Sequence, residues 1–461
     1  MHLLMTPRSW LLILPIAGLS LTARQAEAIP AFAQQTGQPC TACHIGAYGP
    51  QLTPLGRAFK IGGYTQTGGE GWSTYVPLSL MGQGTFTNTH SPFPSDQVPQ
   101  HYNTNNNFSL DQVSGFVGGH IGPYTGGLIQ FTWSDVSNSS HLDNTDLRPF
   151  TTTFQVADKE LRVGTTVNNA PTVQDPYNTT FAWGYPYITS GIAPTPAANV
   201  VLASGFGQSA LGYTAYAWWD NKLYLEAGAY TTLSPWALGR LGNGFGIGST
   251  TSPAPYVRAA YEWQWGSSAA HIGTLFMHAD VNPAVDTFAT TNMFGADHYT
   301  DVAFDGGYQF LGDGTHIVTV QGIYTHETQN LKASAASQGL GFGSNYSLNQ
   351  LRANVSYWYQ NTYGGTVGWQ YTWGPLNPVL YQPGEVFGSN NSKPTSNAFI
   401  LEADWVPFGK DNSFLAPFIN LKLGVQYTAY TQFNGGTSNY DGFGRNASGN
   451  NTLMLFAWLI F

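Results

Sequence analysis

The chain has 461 residues, of which 9% are charged and 15% are aromatic, and its formal net charge is −9 at pH 7. Because ordinary soluble domains carry roughly 25% charged residues, this composition argues against a soluble protein and favours a surface that faces lipid. The mean hydropathy of −0.16 excludes a helical membrane protein, whereas a transmembrane β-barrel alternates lipid-facing and lumen-facing residues whose hydropathies average out.

Residues 1–28 are predicted to be a signal peptide. Arg8 precedes a short apolar run at 11–19, and Ala26-Glu27-Ala28 has the small-residue pattern of a cleavage site. The mature chain is therefore expected to start near Ile29. A membrane helix needs roughly 20 apolar residues, and neither this run nor any later stretch of the sequence qualifies. We therefore expect an exported protein without membrane helices.

Residues 29–73 contain the most specific motif of the chain, Cys40-Thr41-Ala42-Cys43-His44. The spacing C-x-x-C-H attaches a c-type haem, with thioether bonds from both cysteines and His44 placed as the proximal iron ligand. The alternatives are a redox cysteine pair, which needs a βαβ context, and half a zinc site, which needs two further ligands at short spacing. The sequence offers neither context, so we predict a monohaem cytochrome c segment with one covalent haem c.

Residues 74–461 are predicted to form a transmembrane β-barrel, because apolar and polar residues alternate over segments of about ten residues. Between Ile419 and Ala429, every second residue is apolar and the intervening ones are polar or glycine. The same alternation recurs around 257–265, 301–310, 366–373 and 399–405. A soluble β-propeller or sandwich is disfavoured, since no blade motif repeats and the charge content is low.

The connections between these segments predict the number of strands. Seven short turns alternate with eight longer polar connections, which gives sixteen antiparallel strands, or fourteen if the pair near 147–156 and 159–167 does not form. The turns lie near 122–123, 157–158, 220–221, 267–268, 312–314, 361–362 and 409–412, and the longer connections near 88–107, 135–146, 168–210, 233–254, 281–297, 329–348, 375–396 and 433–450. Bacterial outer-membrane barrels have short periplasmic turns and longer external loops, and segment 453–461 resembles their C-terminal strand. We therefore predict an outer-membrane location, in contact with its lipid.

The haem segment is predicted to be mostly helical or irregular and to lie in or at the periplasmic mouth of the barrel. Only about 45 residues separate Ile29 from the first strand near Tyr75, and a chain of roughly 40 to 60 residues rarely builds its own core. No Met or second His lies between His44 and Tyr75. Met81 and His120, both in phase with polar lumen residues, are therefore the candidate distal iron ligands, with ordinary packing or lining roles as the alternatives.

Two short segments flank the haem motif, A-F-A-Q-Q-T-G at 31–37 and L-T-P-L-G-R-A-F-K-I-G-G-Y at 52–64. They resemble the fused monohaem cytochrome–porins of the bacterial outer membrane, the iron oxidases of iron-oxidising bacteria. In that family the first segment reads F-A-R-Q-T-G and the second G-R-x-F-K-x-x-G-Y. The resemblance is specific over Phe32–Tyr64, whereas the barrel agrees in architecture only. Gln34 stands where the family commonly has Arg.

The resemblance implies an oxidoreductase whose haem takes electrons from extracellular Fe(II) and passes them to a periplasmic cytochrome or cupredoxin. Arg57 and Lys60 follow the haem motif closely and are candidates for pairing with the haem propionates, with solvated charges on a short helix as the alternative. Two other functions stay open: a diffusion porin with a structural or sensing haem plug, and an electron conduit for a non-iron donor or for the reverse direction. No nucleic-acid partner is expected, and the oligomeric state is left open.

Overall fold

The computed structural model describes residues 30–68, 77–283, 294–340, 343–416 and 418–461. Seventeen strands in these ranges form one antiparallel sheet, which closes because β1 pairs with β17. The strands are β1 Leu78–Thr89, β2 Asn107–Gly122, β3 Thr125–Ser134, β4 Ser139–Val156, β5 Lys159–Asn168, β6 Ala210–Trp219, β7 Leu223–Thr232, β8 Gly248–Thr250, β9 Ala254–Trp265, β10 Ser268–Pro283, β11 Asp297–Phe310, β12 His316–Asn330, β13 Asn345–Tyr359, β14 Tyr363–Trp373, β15 Ser396–Trp405, β16 Asn420–Gln432 and β17 Thr452–Ile460. The α-helices are α1 Pro30–Thr36, α2 Cys40–Cys43, α3 Pro54–Ile61, α4 Pro235–Leu241 and α5 Lys332–Ser337. None of the helices among the described residues is long and apolar enough to cross a membrane.

The predicted barrel of about sixteen antiparallel strands is confirmed. Sixteen strands have nine or more residues, and the three-residue β8 lies before β9 and pairs with the same neighbour, β10. All seven predicted short turns join strands at one end of the barrel, where β1 begins and β17 ends. This is the periplasmic end in barrels of this class. The predicted signal peptide lies outside the described residues.

One predicted connection is wrong. The polar stretch 135–146 was expected to be a long connection, but only 135–138 separate β3 from β4, because Ser139 already pairs with Ser134. The register of β4 against β5 shifts between Leu147 and Phe150. Pro149 lies in this irregularity, where a residue without a backbone N–H is tolerated. Because the register shifts within β4, its apolar and polar residues do not alternate regularly in the sequence.

The two faces of the strands differ as the alternation predicts. On β9, Val257 and Trp263 are exposed on the outer face, whereas Arg258 and Glu262 are buried in the lumen. On β16, Val425 is exposed and Lys422 is buried. A closed sheet pairs the backbone groups of its strands and presents an apolar outer surface, which is the condition for crossing a bilayer with strands. The protein is therefore an outer-membrane β-barrel.

The segment 30–68, here called the plug, lies inside the periplasmic end of the barrel. The side chain of Thr53 caps α3 by accepting a hydrogen bond from the Gly56 N–H at 3.2 Å, and Pro54 occupies the first turn. The plug contacts strand ends and turns around the wall. Its hydrogen bonds join Ala31 N to Ser79 Oγ (3.3 Å), Asn361 Oδ1 to Gly46 N (2.9 Å), and Tyr48 OH to the Trp458 carbonyl (2.5 Å).

The connection 169–209, here called the inner loop, folds into the lumen rather than extending outside the barrel. Wall carboxylates accept hydrogen bonds from its backbone: Glu327 from Val201 N at 2.5 Å and Asp301 from Leu202 N at 2.8 Å. Deeper in the lumen, Asn178 Nδ2 donates to the Pro50 carbonyl of the plug at 2.7 Å. The inner loop therefore connects the wall to the plug.

Arg258 is a buried cation that holds the inner loop to the wall. Its guanidinium is fully buried, pairs with Asp305 of β11 through two nitrogens, and donates from Nε to Asp175 of the inner loop at 3.1 Å. Two carboxylates therefore share one cation in a buried part of the lumen. Removing one partner from such a buried cluster leaves charge without compensation.

We predict that Arg258→Ala destabilises the barrel by roughly 3–5 kcal/mol, the usual cost of breaking a buried ion pair. The measurement is the midpoint temperature at which the folded band converts to the unfolded band on gels, together with proteolysis of the inner loop. Lys159→Ala is the control, because Lys159 pairs with Asp220 at the surface and exposed pairs contribute little. Equal midpoints for the two variants would contradict the prediction.

Candidate functional site

A cavity of about 650 Å³ lies where the plug, the inner loop and the barrel wall meet. Its volume is within the range of about 300–1,000 Å³ that is typical of ligand and cofactor sites. The plug contributes Cys43 and His44, the inner loop contributes Trp183 and Tyr187, and the wall contributes Met81. The cavity therefore brings the C-x-x-C-H motif together with side chains that lie far apart in the sequence.

His44 is held in one orientation by the backbone. Its Nδ1 lies 2.5 Å from the Gly49 carbonyl oxygen, and because a carbonyl only accepts, Nδ1 carries the proton. Burial lowers the pKa of His44 to about 4, so the imidazole is neutral near pH 7 and Nε2 keeps its lone pair. Metal-binding histidines typically donate their other ring N–H to a carbonyl or carboxylate in this way.

The backbone around the two cysteines is fixed by the start of α3. Cys40 and Cys43 are the first and last residues of the single-turn helix α2, and both are buried. The Cys43 carbonyl accepts from Thr53 N at 3.0 Å, and Gly56 packs so closely on this carbonyl that a Cβ there would overlap it. The motif therefore keeps the C-x-x-C-H spacing, and its backbone is held against α3.

Three aromatic side chains of the plug line the cavity beside the motif. The ring centroids of Phe32 and Phe59 are 5.1 Å apart, those of Phe32 and Tyr64 are 5.3 Å apart, and those of Phe59 and Tyr64 are 5.6 Å apart. The Tyr64 hydroxyl donates to Asp146 of β4 at 2.7 Å. This cluster offers the apolar surface that a porphyrin face needs while its one polar group is bonded to the wall.

The structure separates the two candidate distal ligands. Met81 lines the same cavity as His44 and is buried, and its sulfur accepts a weak hydrogen bond from Gln83 Nε2 at 3.9 Å. His120 is not among the residues that line this cavity. Its backbone N–H donates to Gln35 Oε1 of the plug at 3.0 Å. The geometry favours Met81, and a role for either residue as an iron ligand stays a prediction.

Arg57 and Lys60 are buried on α3, so the alternative that they are solvated charges is wrong. Arg57 makes a bidentate ion pair with Glu262 of β9 (2.6 and 3.2 Å) and also donates to Gln309 at 2.8 Å. Lys60 Nζ donates to three oxygens of the inner loop at 2.7–2.9 Å, and burial lowers its pKa to about 8. Both cations anchor the plug, and their pairing with haem propionates stays a prediction.

Lys422 of β16 packs against the plug near the haem motif, a role that the sequence pattern did not predict. Its Nζ lies 5.1–5.2 Å from the ring centroids of Tyr48, Trp358 and Trp458, a cation–π arrangement below the Gly49 turn. The sequence Tyr357-Trp358-Tyr359 is typical of an interfacial girdle, but Trp358 is buried in the lumen. The only sequence signal for this inward direction was the alternation along β13, in which Trp358 has the phase of the buried residues Asn354 and Ser356.

The inner loop was missed as a wall of the site because a polar connection rich in glycine and proline is typical of an external loop. A signal was nevertheless present, since loops longer than about 12–15 residues are usually functional or disordered. This one also contains a run of aromatic residues between 181 and 187. Such side chains favour burial over an exposed position.

No protein-family model and no curated protein sequence matches the chain. Solved structures with a similar fold include the outer-membrane channel DcaP of Acinetobacter baumannii (11% identity, TM-score 0.46, covering 83% of this chain and 96% of that one). OmpF of Salmonella typhi has 9% identity and a TM-score of 0.45 over 83% and 97% of the two chains. OmpT of Vibrio cholerae has 10% identity and a TM-score of 0.41 over 83% and 97%. All three TM-scores are below 0.5, so the assignment of the fold rests on the strand pairing of the chain itself.

We predict that Arg57→Ala loosens the plug. The substitution leaves Glu262 buried without its cation, at a cost of roughly 3–5 kcal/mol, and removes the bond to Gln309. The expected result in planar bilayers is a higher or noisier single-channel conductance, with faster proteolysis of the plug. Lys159→Ala is again the control, because Lys159 pairs with Asp220 at the surface and exposed pairs contribute little. A conductance unchanged from wild type would refute this anchoring role.

Proposed function

We propose that the protein is an outer-membrane haem protein that carries electrons across the membrane, with one covalent haem c on Cys40 and Cys43 and His44 as the proximal ligand. The observation that carries the proposal is that the C-x-x-C-H motif borders a cavity inside the barrel, which His44 and the wall residue Met81 both line. A c-type haem, when bound, supplies a one-electron redox couple.

The residues of the chain have distinct tasks in this proposal. Cys40 and Cys43 hold the group, His44 presents Nε2, and the plug aromatics exclude water. The motif also reaches the periplasmic face, because Thr41 Oγ1 donates to Asp411 of the β15–β16 turn at 2.6 Å in an exposed position. A periplasmic cytochrome or cupredoxin could therefore approach within a short distance of the site. The apolar band of such a barrel is about 25 Å tall, so a redox centre within it shortens the path through the insulating layer.

Fe(II) as the external electron donor is the finer part of the proposal and rests on the family resemblance. Four carboxylates of the lumen do not add to it. Asp301 and Glu327 bind the backbone of the inner loop, Asp305 pairs with Arg258, and Glu262 pairs with Arg57. These groups hold the interior together, and we assign no iron site among them.

A diffusion porin with a structural or sensing haem plug is the second candidate. The sixteen long strands support it, since barrels of this size have a lumen wide enough for an aqueous channel. The plug and the inner loop oppose it, because both occupy the lumen through buried hydrogen bonds and ion pairs. The two candidates differ in whether solutes pass and in whether an external reductant reaches the haem.

We predict that the protein matured with a c-type haem retains the group after denaturation and acid extraction, and that Cys40→Ala/Cys43→Ala does not. We further predict that Met81→Ala changes the haem absorption spectrum and the reduction potential, since the axial ligand sets both, whereas the matched variant His120→Ala leaves them unchanged. A wild-type protein without covalent haem would overturn the proposed function. An unchanged spectrum in Met81→Ala would eliminate only the distal ligand.

We predict that rapid mixing of the oxidised protein with Fe(II) at the working pH of the organism reduces the haem, one electron passing from each Fe(II). We also predict slow liposome swelling, because a plugged lumen passes solutes poorly. Rapid swelling without haem reduction would favour the diffusion porin. Slow swelling, with reduction by another donor but not by Fe(II), would keep the conduit and remove iron as its substrate.

A further inference from the structure

Three potential metal-ligating side chains lie together on the outer face of the barrel, away from the haem motif. His278 and Asp280 are two residues apart on β10, and His298 lies directly opposite Asp280 on β11. One ligand atom from each residue lies within 4.8 Å of the others. Alternation along a strand and pairing across the ladder therefore place the three groups on one face.

The cluster lies at the extracellular rim, above the band that contacts lipid. On β10 the outward apolar residues Ile272 and Phe276 come before His278, and on β11 the outward apolar residues begin at Val302. The three side chains are 38%, 29% and 46% exposed for His278, Asp280 and His298. The site is therefore accessible to ions from the extracellular side.

The arrangement of atoms suits a cation. Asp280 Oδ1 lies 3.2 Å from His278 Nε2 and 2.5 Å from His298 Nδ1, so the carboxylate stands between the two rings. The other nitrogen of His278, Nδ1, lies 2.8 Å from Thr300 Oγ1, an outer partner of the kind that orients metal-binding histidines. A central carboxylate repels phosphate and other anions, which argues against a lipid phosphate as the ligand.

We propose that His278, Asp280 and His298 form a binding site for a divalent first-row transition metal ion on the extracellular rim. Two imidazoles and one carboxylate are ligands that Zn²⁺, Cu²⁺, Ni²⁺ and Fe²⁺ accept, whereas Mg²⁺ and Ca²⁺ prefer oxygen ligands throughout. Three protein ligands leave positions open for water or an external ligand. The ion would join β10 to β11 at the base of the connection between them.

The strands make this site rigid before an ion binds. β10 and β11 pair over fourteen consecutive residue pairs without a shift in register, so the three Cα positions do not depend on loop conformation. Sites on regular elements hold their ligands more accurately than sites on loops. The proposal is independent of the haem, because the cluster shares no residue with the cavity.

The test is isothermal titration calorimetry of the full-length protein in detergent with ZnCl₂, after exchangeable metal ions have been removed. The zinc that remains after dialysis is then measured by elemental analysis. Neither measurement depends on the haem. We expect wild type to bind one equivalent more than His298→Ala, or to bind it at least about tenfold more tightly, since even the loss of an outer-shell partner costs roughly 10–100-fold in affinity. His278→Ala should behave in the same way.

His326→Ala is the matched control, because His326 is exposed on β12 and bonds Asn349 outside the cluster. Asp280→Asn keeps the shape of the side chain and tests the charge if a histidine variant fails to fold. Loss of the zinc equivalent in the cluster variants and not in His326→Ala supports the site. Equal zinc binding by wild type, His298→Ala and Asp280→Asn overturns it, as does an equal loss in His326→Ala.

Discussion

Closure of the sheet between β1 and β17 is the constraint on which the rest of the structure depends. A strand edge exposed to lipid would leave backbone N–H and C=O groups without partners, at a cost of several kcal/mol for each group. Closure removes the edge and divides the side chains into an outer and an inner set. Charged groups buried on the inner face are then compensated by groups inside the lumen, because the outer face meets lipid.

The interior meets this requirement with groups from different parts of the chain. Arg57 of the plug compensates Glu262 of the wall, and Arg258 of the wall compensates Asp175 of the inner loop. The wall, the plug and the inner loop are therefore each incomplete electrostatically without the others. Separating such a pair would leave a buried charge without compensation. These pairs place the plug in one orientation, and this orientation directs His44 into the cavity.

The sequence predicted the barrel well because its signal is local. Alternation with period two and the positions of short turns depend on neighbouring residues, so β9, β16 and the seven turns were predictable. The one failure, β4, combines a proline with a shift in register that breaks the period. The motif Cys40–His44 is recognised in the same local way, from five consecutive residues, and its haem stays a prediction.

The remainder of the site depends on contacts between distant residues. Nothing local indicates that Lys60 bonds the backbone of the inner loop or that Trp358 turns inward toward Lys422. Met81 and His120 have the same phase, and only the position of the plug distinguishes them. The cluster of His278, Asp280 and His298 likewise depends on the register between two strands, which the sequence does not specify.

The plug packs against the two strands that close the sheet. Ala31 donates to Ser79 of β1, Tyr48 donates to Trp458 of β17, and Met81 and Ile460 pair across the β1–β17 ladder. Met81, Trp458 and Ile460 therefore belong both to the β1–β17 pairing that closes the barrel and to the lining of the cavity beside the motif. The plug can make both sets of contacts only when the last strand meets the first, because its partners lie on both strands.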